Sequence, residues 1–428
     1  MSGLALWYKN LGWQVNGSDV AESPVIDMLR RFGIEPEITN DQLKNIPRNV
    51  DLIIHTQAID RDKITNTPGV VVKNYPEALG ELAKEKFTIA VCGTHGKSTT
   101  TAMAGLLLVD AGFDPTVLAG TMLREFANSN FNFGHSKYLV IEADEFKGAF
   151  LNYYPDVVIW TNADSDHLDY FKDFADILGH FKAFVRHVPE NGFIVANCDD
   201  KNIIKTLEGF KNSVFYSLRD KEAKKIRGII KVPGEHNVSN ALAVLKLARV
   251  LHIPDDVTYG SISNFHGSWR RFEFKGEING AKVYDDYAHH PTEIKATLAG
   301  ARAMIKKGSR LRSGYGESKI KIWAVFQPHQ FERTKLLFKE FARAFKGADK
   351  VILLDVYGVK GRENKVATEV SSEKLAKAIA QYQKNVFYKP GIADAADYIK
   401  KTASSEDIII IMGAGDIWKI FGLLKLSL

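Results

Sequence analysis

Apolar positions along the chain recur in two rhythms. Short β-branched and apolar runs read as buried strands at Val50–Ile54, Phe87–Val91, Tyr138–Ile141, Val157–Trp160, Phe193–Ala196, Ile320–Phe326, Val351–Leu354 and Asp407–Met412. Ser2–Gly12, Pro24–Phe32 and the stretch after Thr99, with Ala102, Met103, Leu106 and Leu107, carry apolar residues at helical spacing. Trp13–Gly17 is expected to be a further strand, ending in Ser18-Asp19. Strands alternating with helices predict an α/β protein with doubly wound sheets.

The pattern divides the chain into three segments. Residues 1–84 read as a Rossmann-like domain that opens on its first helix, so its first strand is missing. An upstream start and a lost central strand both account for that gap. Residues 85–264 read as a central P-loop-type α/β unit with a mostly parallel sheet, and 265–428 as a C-terminal Rossmann-like unit. Arg310–Lys319 is polar and Gly/Ser-rich and is expected to form a surface loop.

Polar clusters follow the apolar strands directly, at 93–98, 142–145, 161–169, 285–290, 327–333 and 413–416. In open α/β sheets ligands bind at the carboxyl ends of strands. The first cluster, Gly93-Thr94-His95-Gly96-Lys97-Ser98 with Thr99 behind it, stands between a strand and a helix, as a phosphate-binding loop does. Glycines let backbone N–H groups converge on phosphate oxygens, and the helix N-terminus adds partial positive charge. Lys97 would reach the β- and γ-phosphates of a nucleotide, and Ser98 would sit on Mg2+. Val91 stands where the full P-loop motif has a Gly, so an ordinary Gly-rich turn is the competing reading. Glu142 and His167 are two further ligand candidates for a hard cation, and surface or capping roles are their alternatives. Asp285-Asp286 and His289-His290 share one short loop. Arg270, Arg271 and Arg333 are candidate anchors for phosphate or carboxylate. Asn237 and Asn240 open an Ala- and Leu-rich helix, where they either read an adenine edge or cap it.

Composition narrows the class without choosing the function. The 428 residues carry a net charge of +6, mild enough to suit anionic small substrates, and no basic–aromatic stripe argues for nucleic acid. Two cysteines, Cys92 and Cys198, make no disulfide framework, which fits a reducing cytoplasm. No apolar run reaches the ~18 residues of a membrane span.

Taken in order, GTHGKSTTTAM, EADE, TNADSDHLD, GEHNVSNALA, WRRFE, DDYAHHPTE, FQPH with ERT, and MGAGDI resemble the Mur ligases of peptidoglycan synthesis. The resemblance runs from Ser2-Gly3-Leu4-Ala5 to Gly415-Asp416-Ile417, and the shorter GTHGKS form is the one it leads us to expect. It implies a UDP-binding domain, a central ATPase and an amino-acid-binding domain. DDYAHHPTE and MGAGDI favour the alanine-adding member, with UDP-N-acetylmuramate and L-alanine as substrates and ATP and Mg2+ as cofactors. ATP would phosphorylate the muramoyl carboxylate, and the amine of L-alanine would attack the acyl phosphate. By matching position, Gly93 to Thr99 with Asn237 and Asn240 would bind ATP. Ser98, Glu142 and His167 would hold metal. Lys97, Glu142, His167, His290 and Arg333 would be catalytic, the last two facing the muramate–alanine junction. Arg271 and Asp286 would bring the C-terminal domain to the nucleotide. The enzyme would be a cytoplasmic monomer or homodimer.

Three departures stand out. The GIGGxGM-type loop that cradles the UDP diphosphate is absent before Ser2, Gln330 stands where the family has an Arg after Gln-Pro-His, and only Lys182 is a loose match for a carbamylated lysine. A ligase that adds a ready-made tripeptide, and a nucleotide-binding homologue without turnover, are the alternatives.

Overall fold

The structure is a computed structural model describing residues 1–40, 46, 49–64, 69–167, 170–309, 320–358, 369–405 and 407–427. The expected Arg310–Lys319 loop lies outside the described residues. Packing divides the chain into two compact units. The first comprises Met1–Asp166, Lys172–Ile226 and Ser239–Ser263, the second His167–Phe171, Arg227–Val238 and Asn264–Leu428.

The first unit begins with α1 (Ser2–Asn10), β1 (Ser18–Asp19), α2 (Pro24–Arg31), β2 (Glu37–Ile38), β3 (Leu52–His55), β4 (Val71–Asn74) and α3 (Tyr75–Ala83). Ser23 Oγ accepts the Ile26 N–H to start α2, with Pro24 in its first turn. Asn74 and Glu77 form a reciprocal capping box on α3. β1 pairs in parallel with β2 and β3 with β4, and among the described residues no strand joins the two pairs. The expectation of a strand over Trp13–Gly17 is corrected: pairing begins only at Ser18. Trp13 instead packs edge-on against Tyr8, and its N–H bonds the Tyr8 carbonyl.

The same unit then builds a larger sheet from β5 (Phe87–Cys92), β6 (Thr116–Leu123), β7 (Ser129–Asn132), β8 (Tyr138–Glu142), β9 (Val157–Trp160), β10 (Phe193–Asn197) and β11 (Ser213–Tyr216), with α4 (Lys97–Asp110) between β5 and β6. The order is β11-β10-β9-β5-β8-β6-β7, and only the β6–β7 pair is antiparallel. Both faces of a parallel sheet are covered, which is why β5 reads as continuously apolar rather than alternating. The chain leaves β8 on one side of β5 and enters β9 on the other. The carboxyl end of β5 is therefore a topological switch point. α1 rests on this sheet, with Asn130 donating to Ser2 Oγ at 3.2 Å.

The second unit holds β12 (Glu273–Ile278), β13 (Ala281–Asp286), β14 (Ile322–Phe326), β15 (Lys350–Leu353), β16 (Val386–Tyr388) and β17 (Ile408–Met412), in the order β12-β13-β17-β14-β15-β16. β12 alone runs antiparallel. Alternation along β14 feeds two cores: Ile322, Ala324 and Phe326 pack with Leu298 and Phe341, whereas Trp323 and Val325 pack with Ile399 and Ile417. Among the described residues no helix is long and apolar enough to cross a membrane.

Gly80 sets how closely α3 approaches the segment Phe146–Asn152. A Cβ there would lie 2.4 Å from the Asn152 carbonyl oxygen. Gly80→Ala is expected to destabilise the protein by about 1–3 kcal/mol, read from the denaturant midpoint. An unchanged midpoint would show that the helix shifts freely.

Candidate active site

The loop between β5 and α4 is shaped by close backbone approach. Gly93 and Gly96 have φ of +123° and +83°. A Cβ on Gly93 would fall 2.2 Å from Thr161 Oγ1, and one on Gly96 would fall 2.8 Å from Asn240 Oδ1. Only glycine fits either position. The end of the adjacent β9 then clamps the loop. Asn162 Oδ1 accepts the His95 N–H and Asn162 Nδ2 donates to the His95 carbonyl, both at 2.8 Å. Thr161 Oγ1 donates to that same carbonyl at 2.7 Å. Thr94 Oγ1 accepts the Asp164 N–H at 2.9 Å, and His95 Nε2 lies 3.1 Å from the Asp164 carboxylate. No side-chain hydrogen bond caps α4, and the N-terminus of a helix favours an anion.

Charge is concentrated behind this loop. The Lys97 side chain is only 12% exposed. Its ammonium donates to Gly93 O at 2.7 Å, Thr94 O at 3.2 Å and Glu145 Oε2 at 2.8 Å. Burial alone would lower the Lys97 pKa, but Glu145, Asp144 and Glu142 together push it up and keep the group charged. Glu142, at the end of β8, accepts from Ser98 Oγ at 3.1 Å and from the Gly120 N–H at 2.8 Å. Two hard oxygen donors thus converge beside the loop, a donor set suited to Mg2+.

The second unit carries its own polar centre. Arg270 and Asp285 are 3% and 2% exposed. Arg270 Nε donates to Asp285 at 3.1 Å and Nη2 to the Gly413 carbonyl at 2.6 Å, tying the Trp269–Phe272 turn to the ends of β13 and β17. Asp286 accepts the Phe272 N–H at 2.9 Å and the Ala288 N–H at 2.8 Å. Burial pushes Asp286 up to about 6, against the pull of Arg271. The Arg271 guanidinium lies over the Tyr287 ring. His290 Nδ1 accepts the Thr292 N–H at 3.3 Å, and the His290 N–H donates to Glu293. Arg333 is buried at the start of a helix over Phe331–Leu336, with Nη1 3.4 Å from His329 Nδ1. His329 stacks on Tyr357. Gln330 has φ +70°, held by its N–H on the Tyr357 carbonyl and its own carbonyl on Thr334. His236, in the GEHN motif, is pulled down to about 4, first by burial and also by Arg271, with Glu293 opposing.

The residues expected from the sequence therefore fall in two groups. Gly93 to Thr99, Glu142 and Asn240 surround one loop of the first unit. Asn237, Arg271, Asp286, His290 and Arg333 belong to the second, as does His167, whose φ is +53°. Asn237 donates to the Pro233 carbonyl at the start of its helix. Lys182 is exposed on the helix Phe174–Val185. Glu145, Asn162 and Asp164 join the site without a distinguishing signal in the sequence. They stand inside the EADE and TNADSDHLD motifs, but a string of acids does not say which one meets Lys97.

Asp286 gives a pH test. A carboxyl raised from 3.8 to about 6 binds its proton more tightly folded than unfolded. Its contribution to stability is greatest below its unfolded pKa and is lost as pH rises through about 6. Asp286→Asn is expected to flatten that part of the stability profile, measured by denaturant titration from pH 4 to 7, about the span of the shift. A profile parallel to wild type would refute the assignment.

Three family models match the chain: "Mur ligase family, catalytic domain" over residues 1–87, "Mur ligase middle domain" over 91–229 and "Mur ligase, glutamate ligase domain" over 270–415. A UDP-N-acetylmuramate–L-alanine ligase of Acetivibrio thermocellus is 38% identical, covering 98% of this chain and 92% of that protein. The crystal structure of a UDP-N-acetylmuramate–alanine ligase from Thermotoga maritima superposes with a TM-score of 0.80 at 24% identity, over 99% of this chain and 95% of that one. A MurF ligase from Thermotoga maritima, solved in complex with ADP, has a TM-score of 0.61 at 15% identity, covering 88% of this chain and 94% of that one. The structural likenesses speak to the fold alone.

Proposed function

Because the chain belongs to the Mur ligase family, we propose that it joins L-alanine to the muramoyl carboxylate of UDP-N-acetylmuramate at the expense of ATP. It is an ATP-dependent ligase of peptidoglycan synthesis. The observation that carries the choice of substrates is the 38% identity to an alanine-adding ligase across 98% of the chain. The carboxylate is a poor electrophile, and its phosphorylation supplies the leaving group that the amine of L-alanine displaces.

Within that reading, residues 1–84 take the UDP-sugar, 85–264 take ATP and 265–428 take the amino acid. The Gly93–Thr99 loop and the N-terminus of α4 cradle the phosphates. Lys97 places its charge on the transferred phosphoryl group, and Asn240 stands against the loop at Gly96. Asn237 would complete the ATP site on the same helix. Ser98 and Glu142, with His167 as a third ligand, would hold Mg2+, which when bound neutralises phosphate charge. His290 and Arg333 would face the muramate–alanine junction, while Arg271 and Asp286 would meet the nucleotide. The diphosphate end of the sugar nucleotide has a candidate cleft of about 500 Å3 at the carboxyl ends of β3 and β4. His55, Asn74, Arg61 and Lys147 line it, and the His55 Nε2 has no hydrogen-bond partner among the described residues. The cations Arg61 and Lys147 suit the diphosphate of a sugar nucleotide.

ADP release is expected to require UDP-N-acetylmuramate and L-alanine together, followed by a coupled assay on the full chain. Lys97→Ala should lower kcat at least about 100-fold. A tripeptide that replaces L-alanine with equal efficiency would favour the tripeptide-adding alternative. Binding of ATP without turnover would sink the ligase reading.

A further inference from the structure

An ammonium has three N–H donors. In Lys97 all three are engaged, on Gly93 O, Thr94 O and the Glu145 carboxylate. The lysine can therefore grip a phosphate only by surrendering a bond it already makes. Two of its acceptors are carbonyls of the loop itself. The third is a full negative charge, 3% exposed and 2.8 Å away. A phosphate oxygen would add a second anion to the same ammonium, and like charges at close range in a buried site oppose each other.

We propose that Glu145 is a positioning residue that acts through Lys97 as an internal stand-in for the nucleotide's phosphate. It neutralises and holds the ammonium before nucleotide binds, and the β- or γ-phosphate takes its place on binding. This rests on reading the Gly93–Thr99 loop as the ATP site. The backbone holds Glu145 for the task. The Gly148 N–H donates to the Glu145 carbonyl at 2.9 Å, closing a turn in which Lys147 and Gly148 have φ of +52° and +65°. Lys147 has a side chain in a conformation that favours glycine, so the turn is imposed by its surroundings rather than chosen locally. Glu142 is not an equivalent competitor, because its oxygens are held by Ser98 Oγ and the Gly120 N–H. A latch of this kind keeps the buried cation compensated when no nucleotide is present. It also recaptures Lys97 when product leaves, which weakens nucleotide affinity and speeds release.

The test is calorimetric titration of Mg2+-free ATP and ADP into the full chain and its Glu145→Gln variant. The variant keeps the side chain's shape and removes its charge. The expected result is about tenfold tighter binding of both nucleotides. The nucleotide-free variant should also melt at a lower temperature and gain more from added ATP than wild type does. Asp144→Asn, which removes the neighbouring exposed charge, should alter affinity less than about twofold. Equal or weaker binding by Glu145→Gln overturns the proposal, as does an equal tightening by Asp144→Asn. If the glutamine variant does not fold, Glu145→Asp carries the test: its retracted charge should tighten binding by a smaller factor, and unchanged or weaker binding refutes the latch. Wild type that binds no ATP would refute the underlying site, whereas wild type that binds with Glu145→Gln unchanged refutes only the latch.

Discussion

A largely buried ammonium is the constraint on which the first unit depends. Lys97 has to carry its charge beside the central strand of a parallel sheet, where water is excluded. A lone cation in such surroundings is costly, so acids must stand around it. The fold supplies them from β8, the strand hydrogen-bonded to one side of β5. On the other side the chain after β9 supplies Thr161 and Asn162, which hold the loop by the His95 backbone, and Asp164, which holds it by the Thr94 hydroxyl. Both strands present these groups because parallel neighbours end at the same edge of the sheet. Gly93 follows from this crowding, since a Cβ there would meet Thr161, whereas Gly96 is crowded by Asn240.

The second unit solves a related problem with a different pair. Arg270 and Asp285 are nearly inaccessible and joined to each other. The arginine's Nη2 reaches the Gly413 carbonyl, just past the end of β17. One buried ion pair thereby brings three separated motifs to the same edge, WRRFE, DDYAHHPTE and MGAGDI. Such a pair adds little net stability compared with an apolar core, and its stronger effect here is on geometry. It sets where the loops carrying Arg271, Asp286 and His290 begin.

Much of this was legible in the residues. The strand–loop–helix around Lys97 announced itself through apolar runs and glycine spacing, and all six polar clusters do stand at strand ends. Two kinds of feature were not legible. Edge strands such as Ser129–Asn132 and Glu273–Ile278 are short and half polar, and they exist because a sheet edge is there to pair with. The extended run Trp13–Gly17 shows the converse. Its composition suits a strand, yet pairing starts only where β2 lies alongside.

Local periodicity and motifs read in order were enough to specify the class of fold, the strand–loop–helix around Lys97 and the family. The sequence by itself also determined which chemical groups are available at each strand end. Tertiary structure alone decided how those groups divide their work. Glu142 and Glu145 are near neighbours with the same carboxylate, and nothing in their spacing distinguishes them. One ends a strand facing Ser98 and Gly120, and the other stands just before the forced turn at Lys147-Gly148 and meets Lys97. Partners of a buried charge are chosen by three-dimensional distance in a low-dielectric site, and the order of residues along the chain does not encode that distance.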